Sequence, residues 1–186
     1  MAGEKIILIG YRCTGKTVIG KELARALALP FFDTDELVER RAGKSIGEIV
    51  GEEGWPVFRR WEKEVILSLG REGRCVVATG GGAILDAENA FFLKKQGKLI
   101  WLYAPMEIIV ERLKKDTKSK TKRPFLGEIH DLTEETRKAM TEREPIYRSL
   151  ADFSLDTSLR DVRGCVETIL ASLREREEIN GGKHHR

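Results

Sequence analysis

The segment that most restricts how this chain can fold is residues 10–17, which read GYRCTGKT. A glycine, four further residues and then Gly-Lys-Thr form the spacing of the phosphate-binding loop of nucleoside triphosphatases. An apolar run at 6–9 precedes this loop, and apolar residues at helical spacing follow it over 17–27. When a strand, a phosphate loop and a helix follow in that order, several backbone N–H groups and the positive end of the helix point into one concavity. The sequence therefore predicts a nucleoside triphosphate site.

The positions of this phosphate loop have separate expected tasks. Gly10 and Gly15 allow backbone geometry and a close approach that a side chain would block. Lys16 can reach the β- and γ-phosphates, and the hydroxyl of Thr17 can bind Mg²⁺. The alternative, a glycine-rich turn that binds nothing, is disfavoured by the flanking strand and helix. We expect the nucleotide to contact Cys13, Thr14, Gly15, Lys16, Thr17 and Val18.

Size and composition are those of an ordinary globular protein. The chain has 186 residues, 41% of them apolar and 34% charged, which fits one domain with a substantial core. A net charge of +3 is too small to indicate a nucleic-acid partner. Three scattered cysteines fit a reducing compartment, and the sequence shows neither a signal-peptide pattern nor an apolar stretch of transmembrane length. We expect a cytoplasmic monomer with no nucleic-acid or membrane partner.

Short apolar runs alternate with helical patterns along the chain. Strands are predicted at 6–9, 30–33, 75–79, 99–103 and 153–156. Helices are predicted at 17–27, 56–69, 87–95, 106–114, 134–151 and 161–173. This order predicts an α/β fold of three layers, with a five-stranded parallel sheet between helices. We expect one domain over 1–175, a mobile, strongly basic lid loop at 114–127, and a polar tail at 176–186 without a function.

Residues that can carry chemistry follow several of the predicted strands. They are Asp33-Thr34-Asp35, Thr79-Gly80-Gly81-Gly82 and Asp156-Thr157-Ser158. Ligands of open parallel sheets bind beyond the carboxyl ends of the strands. We therefore expect these three segments to converge on the phosphate loop.

Two of these segments and two arginines indicate the second substrate. Of the two carboxylates, Asp33 and Asp35, one can hold the hydration shell of Mg²⁺ while the other orients an acceptor hydroxyl. Alternatively, one of the two residues is only the N-cap of the following helix. Arg59 and Glu62 can share a helix face, so that Glu62 orients a guanidinium which binds a carboxylate with two hydrogen bonds. The alternative is a surface ion pair of little value. Three consecutive glycines give backbone access to a small ligand, and Arg143 can supply a second cation.

Six segments in this order resemble the shikimate kinase family. They read GYRCTGKTVIGKELA, FFDTDELVE, FRRWE, ATGGGAI, KRPFL and REPIYRSLAD, and the resemblance covers roughly 6–170. It implies transfer of the γ-phosphate of ATP to the 3-hydroxyl of shikimate, a step toward chorismate and the aromatic amino acids. It also implies the P-loop kinase fold of the nucleoside monophosphate kinases, with a closing lid.

The resemblance assigns roles by matching position. Asp35 would hold the shikimate hydroxyls as orienter or base, and Asp33 would hold Mg²⁺ through water beside Thr17. The catalytic set would be Lys16, Asp35 and Arg123, with Arg123 closing over ATP from the lid, and Arg160 would lie beside the adenine. The acceptor would contact Asp35, Arg59, Gly80, Gly81, Gly82 and Arg143.

This sequence departs from the family's pattern near Arg59 and in the lid. The family usually has Glu where Trp55 stands, followed by a small residue where Pro56 stands. The lid loop is rich in lysine and has no clear upstream arginine.

Two other readings are weighed against this one. A related small-metabolite kinase, such as a gluconate kinase, would share the fold but use another acceptor. A non-catalytic ATP-binding module would bind nucleotide without acceptor-dependent turnover. The Asp-x-Asp pair, Phe58-Arg59 and the three glycines favour an acceptor with a carboxylate and hydroxyls. A non-catalytic module would have no need for the set of Lys16, Asp35, Arg59 and Arg123.

Overall fold

The structure, a computed structural model, describes residues 4–116 and 131–181, with side chains up to 175. Within these residues it contains five strands and eight α-helices. The strands are β1 Lys5–Ile9, β2 Phe31–Asp33, β3 Val76–Ala78, β4 Gly97–Tyr103 and β5 Phe153–Asp156. The helices are α1 Lys16–Leu27, α2 Thr34–Ala42, α3 Ile46–Glu53, α4 Trp55–Ser68, α5 Ala87–Gln96, α6 Met106–Lys115, α7 Leu132–Leu150 and α8 Val162–Gly181. Two short 3₁₀ helices lie at Leu69–Arg71 and Ala83–Leu85.

The five strands form one parallel sheet in the order β2-β3-β1-β4-β5. The strand β1 is central: Ile7 pairs with Val77 of β3 on one side and with Leu99 of β4 on the other. All five residues of β1 are buried, because helices cover both faces of the sheet. The predicted α/β architecture and its five-stranded parallel sheet are therefore confirmed, and the loops after β1, β2 and β3 meet at one edge.

The side chains of β1 alternate between two apolar layers. Ile6 and Leu8 pack with residues of α1 and α8, among them Leu23 and Ile169. Ile7 and Ile9 point the other way and pack with residues of α4, α5 and α7. This period of two divides the core into one layer on each face of the sheet. No helix within the described residues is long and apolar enough to cross a membrane.

Two helices were not predicted: α2, which lacks an apolar stripe, and α3, which is short although Ile46, Ile49 and Val50 follow helical spacing. The helix α2 buries only Thr34 and Val38, so it has no apolar stripe of helical period. The helix α3 has eight residues, two of them glycine. Its start carries a readable signal, because Ser45 and Glu48 form a capping box.

Part of the expected lid and tail lies outside the described residues. Lys114 and Lys115 form the last turn of α6. Residues 117–127, including the predicted catalytic Arg123, are not described, and the end of the tail at 182–186 is not described either. The limits of the domain, of the lid and of the tail therefore stay predictions.

Candidate active site

The phosphate loop joins the buried strand β1 to the N-terminus of α1. Gly15 precedes α1 with φ +89°, and no side chain caps this helix, so the peptide groups of its first turn suit an anionic ligand. Gly10 has φ +141°, and a Cβ there would lie 2.2 Å from the carbonyl oxygen of Leu102. Cys13 also has a positive φ, +59°, although it carries a side chain. The loop is thus a strained, tightly packed turn aimed at one concavity.

Lys16 is folded over this loop. Its Nζ donates to the carbonyl oxygen of Tyr11 at 2.6 Å, and the hydroxyl of Thr14 donates to the same oxygen at 2.8 Å. An open pocket, the phosphate pocket, is lined by Cys13, Gly15, Lys16, Thr17 and Val18, and its volume is about 1,170 Å³ with the open solvent at its mouth included. Thr14, also predicted to contact the nucleotide, is buried beneath the loop and does not line that pocket.

Thr17 and Asp33 lie next to each other at the floor of the phosphate pocket. The hydroxyl of Thr17 donates to Asp33 Oδ2 at 2.7 Å. Asp33 Oδ1 accepts from the backbone N–H of Asp35 at 3.0 Å and so caps α2. Burial, with the nearby charge of Asp35, raises the pKa of Asp33 despite these hydrogen bonds. Asp33 is therefore both an N-cap and a buried carboxylate beside a hydroxyl, the oxygen pair that a hard cation prefers.

A second pocket, the arginine pocket, opens beside the phosphate pocket. It measures about 440 Å³ with its mouth included. Its walls are formed by Arg12, Asp35, Ile46, Trp55, Phe58, Arg59, Glu62, Gly80, Gly81, Gly82 and Arg143. Arg12, Asp35 and Gly81 also line the phosphate pocket, so the two pockets share a wall. The structure thus brings the predicted acceptor residues together next to the phosphate loop.

The three glycines after β3 make room for the side chains of this pocket. A Cβ on Gly80 would lie 2.7 Å from both Asp35 Oδ1 and Glu62 Oε1. A Cβ on Gly82 would lie 2.3 Å from a terminal nitrogen of Arg59. The backbone N–H of Gly80 also donates to Thr34 Oγ1 at 2.8 Å. Glycine is needed at positions 80 and 82 because charged side chains lie against them, while a Cβ on Gly81 would meet backbone atoms of the phosphate loop.

Arg59 is held in place from two directions. Its Nη1 donates to Glu62 Oε2 at 2.5 Å, and Glu62 is only 1% exposed, so this pair is not an ordinary surface ion pair. Its guanidinium also lies over the rings of Phe58 and Trp55, at 5.1 and 5.6 Å. An arginine oriented by a buried carboxylate and two aromatic rings is prepared to bind a planar anion.

Arg143 reaches the same pocket from α7. It is 9% exposed, its Nη1 donates to the carbonyl oxygen of Gly81 at 3.4 Å, and its guanidinium lies 5.5 Å from the ring of Tyr11. The hydroxyl of Tyr147 donates to the same carbonyl oxygen. Burial raises the pKa of Tyr147, so this hydroxyl stays a donor. Two side chains of α7 therefore attach this helix to the loop of Gly80, Gly81 and Gly82, the glycine loop.

Three residues of the site were missed in the sequence. Arg12 lines both pockets, and its Nη2 lies 2.8 Å from Oε1 of the buried Glu135. Arg112 donates to the carbonyl oxygen of Cys13 and to both the hydroxyl and the carbonyl oxygen of Thr157, which joins the phosphate loop to the end of β5. Arg12 could have been found in the sequence, because it is a positively charged residue inside the phosphate-loop motif. No sequence pattern indicates a role for Glu135 or Arg112.

Besides Thr14, two further predicted nucleotide contacts are not among the lining residues. Arg160 is exposed at the start of α8 and lines neither pocket. Arg123 lies outside the described residues. Both assignments stay predictions.

A parallel sheet of this order, with a phosphate loop after its central strand and a pocket lined by arginines beside it, is the architecture of a P-loop kinase. A family model described as "Shikimate kinase" matches residues 12–174. The chain belongs to the shikimate kinase family, which confirms the resemblance found in the sequence. It is an ATP-dependent kinase.

Individual relatives agree with this assignment. The chain is 51% identical to a shikimate kinase of Syntrophus aciditrophicus over 174 residues, which cover 90% of this chain and 89% of the relative. The solved shikimate kinase of Acinetobacter baumannii in complex with shikimate is similar with a TM-score of 0.85 and 34% identity, covering 94% of both chains. That of Aquifex aeolicus is similar with a TM-score of 0.78 and 34% identity, covering 93% of this chain and 98% of the other.

Proposed function

We propose that this protein transfers the γ-phosphoryl group of ATP to the 3-hydroxyl of shikimate, giving shikimate 3-phosphate and ADP. The observation that supports this most is the shared wall of the two pockets, where Asp35 lies between the phosphate loop and the arginine pair of Arg59 and Arg143. Membership of the shikimate kinase family gives independent support. The gluconate-type and non-catalytic alternatives do not account for the arginine pair.

The phosphate pocket suits ATP together with Mg²⁺. Backbone N–H groups of the loop and Lys16 Nζ would bind the β- and γ-phosphates, with Lys16 exchanging the carbonyl oxygen of Tyr11 for phosphate. The cation fits Thr17 and, through water, Asp33, because oxygen donors and a buried carboxylate are what Mg²⁺ selects. No group of three or more His, Cys, Asp or Glu side chains in the described part of the chain could hold a metal ion. When bound, Mg²⁺ neutralises phosphate charge.

The arginine pocket suits a small carboxylate with hydroxyls. Arg59 and Arg143 would bind the carboxylate, each already oriented by neighbours in the protein. Asp35 would accept a hydrogen bond from the acceptor hydroxyl and hold its proton as the oxygen forms its bond to phosphorus. Because Asp35 lines both pockets, a hydroxyl held there faces the phosphate loop. The chemistry then rests on positioning and charge, as phosphoryl transfer requires.

The remaining parts of the proposal concern the lid, the location of the protein in the cell and its oligomeric state. Arg123 would neutralise charge on the transferring group from the lid, whose closure would exclude water as a competing acceptor, and Arg160 would lie beside the adenine. The three cysteines that the structure describes are free thiols, which supports a cytoplasmic location. We keep a monomer without nucleic-acid or membrane partners as the proposed state.

The test is ADP release measured in a coupled assay with ATP and a panel of acceptors. We expect turnover that depends on shikimate and is absent with gluconate or a nucleoside monophosphate. Turnover with gluconate alone would establish the other small-metabolite kinase. ATP binding without turnover on any acceptor would establish the non-catalytic module.

A further inference from the structure

One ion pair of the site, largely buried, has no role in the reaction proposed above. It joins Arg12, in the phosphate loop, to Glu135, in the first turns of α7, although the two are 123 residues apart in sequence. Arg12 Nη2 lies 2.8 Å from Glu135 Oε1, and the side chains are 14% and 2% exposed. A carboxylate that is this buried needs a partner, since an uncompensated charge in its place would destabilise the protein strongly.

The pair holds a cation at the junction of the two pockets. Arg12 lines the phosphate pocket and the arginine pocket. Its backbone is packed as well, since a Cβ on Gly81 would lie 3.3 Å from its amide nitrogen. The contact with Glu135 is to one terminal nitrogen, and neither Arg12 Nε nor Glu135 Oε2 has a hydrogen-bond partner among residues 4–116 and 131–175. The charge pair therefore fixes the direction of a guanidinium beside the reacting groups.

One face of α7 carries this contact and the others to the site. Glu135, Ala139, Arg143 and Tyr147 follow each other at intervals of four, and all four are buried. Glu135 contacts the phosphate loop through Arg12, while Arg143 and Tyr147 contact the glycine loop through Gly81. A single helix thus contacts both the phosphate loop and the loop of Gly80–Gly82.

We infer that Glu135 is a positioning residue for phosphoryl transfer, acting through Arg12 at the junction of the two pockets. This inference rests on the proposed function, because that function places the reacting groups at the junction. Loss of the Glu135 charge lets the Arg12 guanidinium turn away, while ATP and shikimate keep their own contacts. The rate of the chemical step falls, and the affinities stay nearly unchanged.

The experiment is a double-mutant cycle of Glu135→Gln and Arg12→Met. We expect Glu135→Gln to lower kcat about tenfold while both KM values change less than about twofold. In the Arg12→Met background the same substitution should change kcat less than about twofold, because its target is gone. Glu134→Gln is the matched control: Glu134 precedes Glu135, is 47% exposed and pairs with Arg137 on the surface, so it should leave kcat unchanged.

Further variants separate positioning from stability. If Glu135→Gln does not fold, Glu135→Asp keeps the charge but shortens its reach, and it should lower kcat without a change in Tm. The inference is overturned if Glu135→Gln lowers Tm and leaves kcat intact, or lowers kcat by the same factor in the presence and absence of the Arg12 guanidinium. Wild-type turnover with shikimate is measured first, because its absence would refute the proposed function itself.

Discussion

At the scale of single residues, the site consists of charged side chains oriented by other side chains. Arg59 is oriented by Glu62 and two rings, and Arg143 by the carbonyl oxygen of Gly81. Such preorganisation removes the entropy loss of ordering a long side chain when a ligand binds. In the proposed reaction, the two arginines therefore contribute to binding of the acceptor, whereas Asp35 contributes to the rate of phosphoryl transfer.

Arg59→Ala tests the binding role. It should raise KM for shikimate by at least about tenfold, because a two-point hydrogen bond to a carboxylate is lost, while KM for ATP stays within about twofold. Steady-state kinetics with each substrate varied in turn measure both values. Arg60→Ala is the control, since Arg60 is the exposed neighbour on the same helix; an unchanged KM for shikimate in Arg59→Ala would make Arg59 a structural residue.

Asp35→Asn tests the catalytic role. Removing the group that orients the hydroxyl and takes its proton should lower kcat by about 10²–10⁴-fold. ATP affinity, measured by calorimetry, should stay nearly unchanged. The exposed Glu52, which pairs with Lys44 and lines neither pocket, supplies the control variant Glu52→Gln. A large loss of ATP binding in Asp35→Asn would contradict the division of roles between the two pockets.

At the scale of elements, the start of α2 carries a conflict between function and stability. Burial and the charge of Asp35 raise the pKa of Asp33, so its ionised form is disfavoured in the folded protein. A raised pKa means that its ionisation costs stability above the pKa of the unfolded chain, and that this cost disappears as the pH falls. Under the proposed function, this buried charge would bind Mg²⁺ through water.

Asp33→Asn should separate the two effects. Asparagine caps a helix as well as aspartate does, so at pH 7 the Tm should stay equal or rise while kcat falls sharply and the Mg²⁺ requirement increases. In the wild-type protein, Mg²⁺ affinity should decline as the pH falls, beginning above the pH expected for an exposed aspartate. Thermal unfolding and Mg²⁺ titrations across pH measure these effects; a strongly lowered Tm in Asp33→Asn would make the residue mainly a cap.

The helix α7 offers a second test at this scale. Tyr147→Phe removes one hydrogen bond to the carbonyl oxygen of Gly81. It should lower the free energy of unfolding by about 1 kcal/mol and raise KM for shikimate severalfold, because the glycine loop and Arg143 lose a common support. Denaturant unfolding and kinetics provide both numbers, with the exposed Glu142 changed to Gln as the control. If Tyr147→Phe had the same stability and the same KM for shikimate as the wild-type protein, the hydrogen bond from Tyr147 to Gly81 would have no effect on the site.

At the scale of the whole molecule, the sequence predicted the sheet well because each strand is a short apolar run. The phosphate loop and the strand ends likewise placed Asp33, Asp35 and the three glycines at one edge. The order of the strands was not readable, since it depends on which helix crosses which face. The helix α2 was missed because it has no apolar stripe, and α3 was missed because it has only eight residues, two of them glycine.

The ion pairs that orient the arginines of the site could be predicted from the sequence only where the two partners are close together in the chain. Arg59 and Glu62 lie three residues apart, so helical geometry alone suggested their contact. Arg12 and Glu135 lie 123 residues apart, and a single sequence contains no sign of such a pair. What could not be predicted is therefore the long-range contact between α7 and the phosphate loop.

The most direct test of the whole account is a crystal structure with ADP, Mg²⁺ and shikimate bound. We predict the shikimate carboxylate between Arg59 and Arg143, with a hydroxyl at Asp35 facing the phosphate loop. A shikimate molecule bound outside the arginine pocket, or with its hydroxyls turned away from Asp35, would contradict the account.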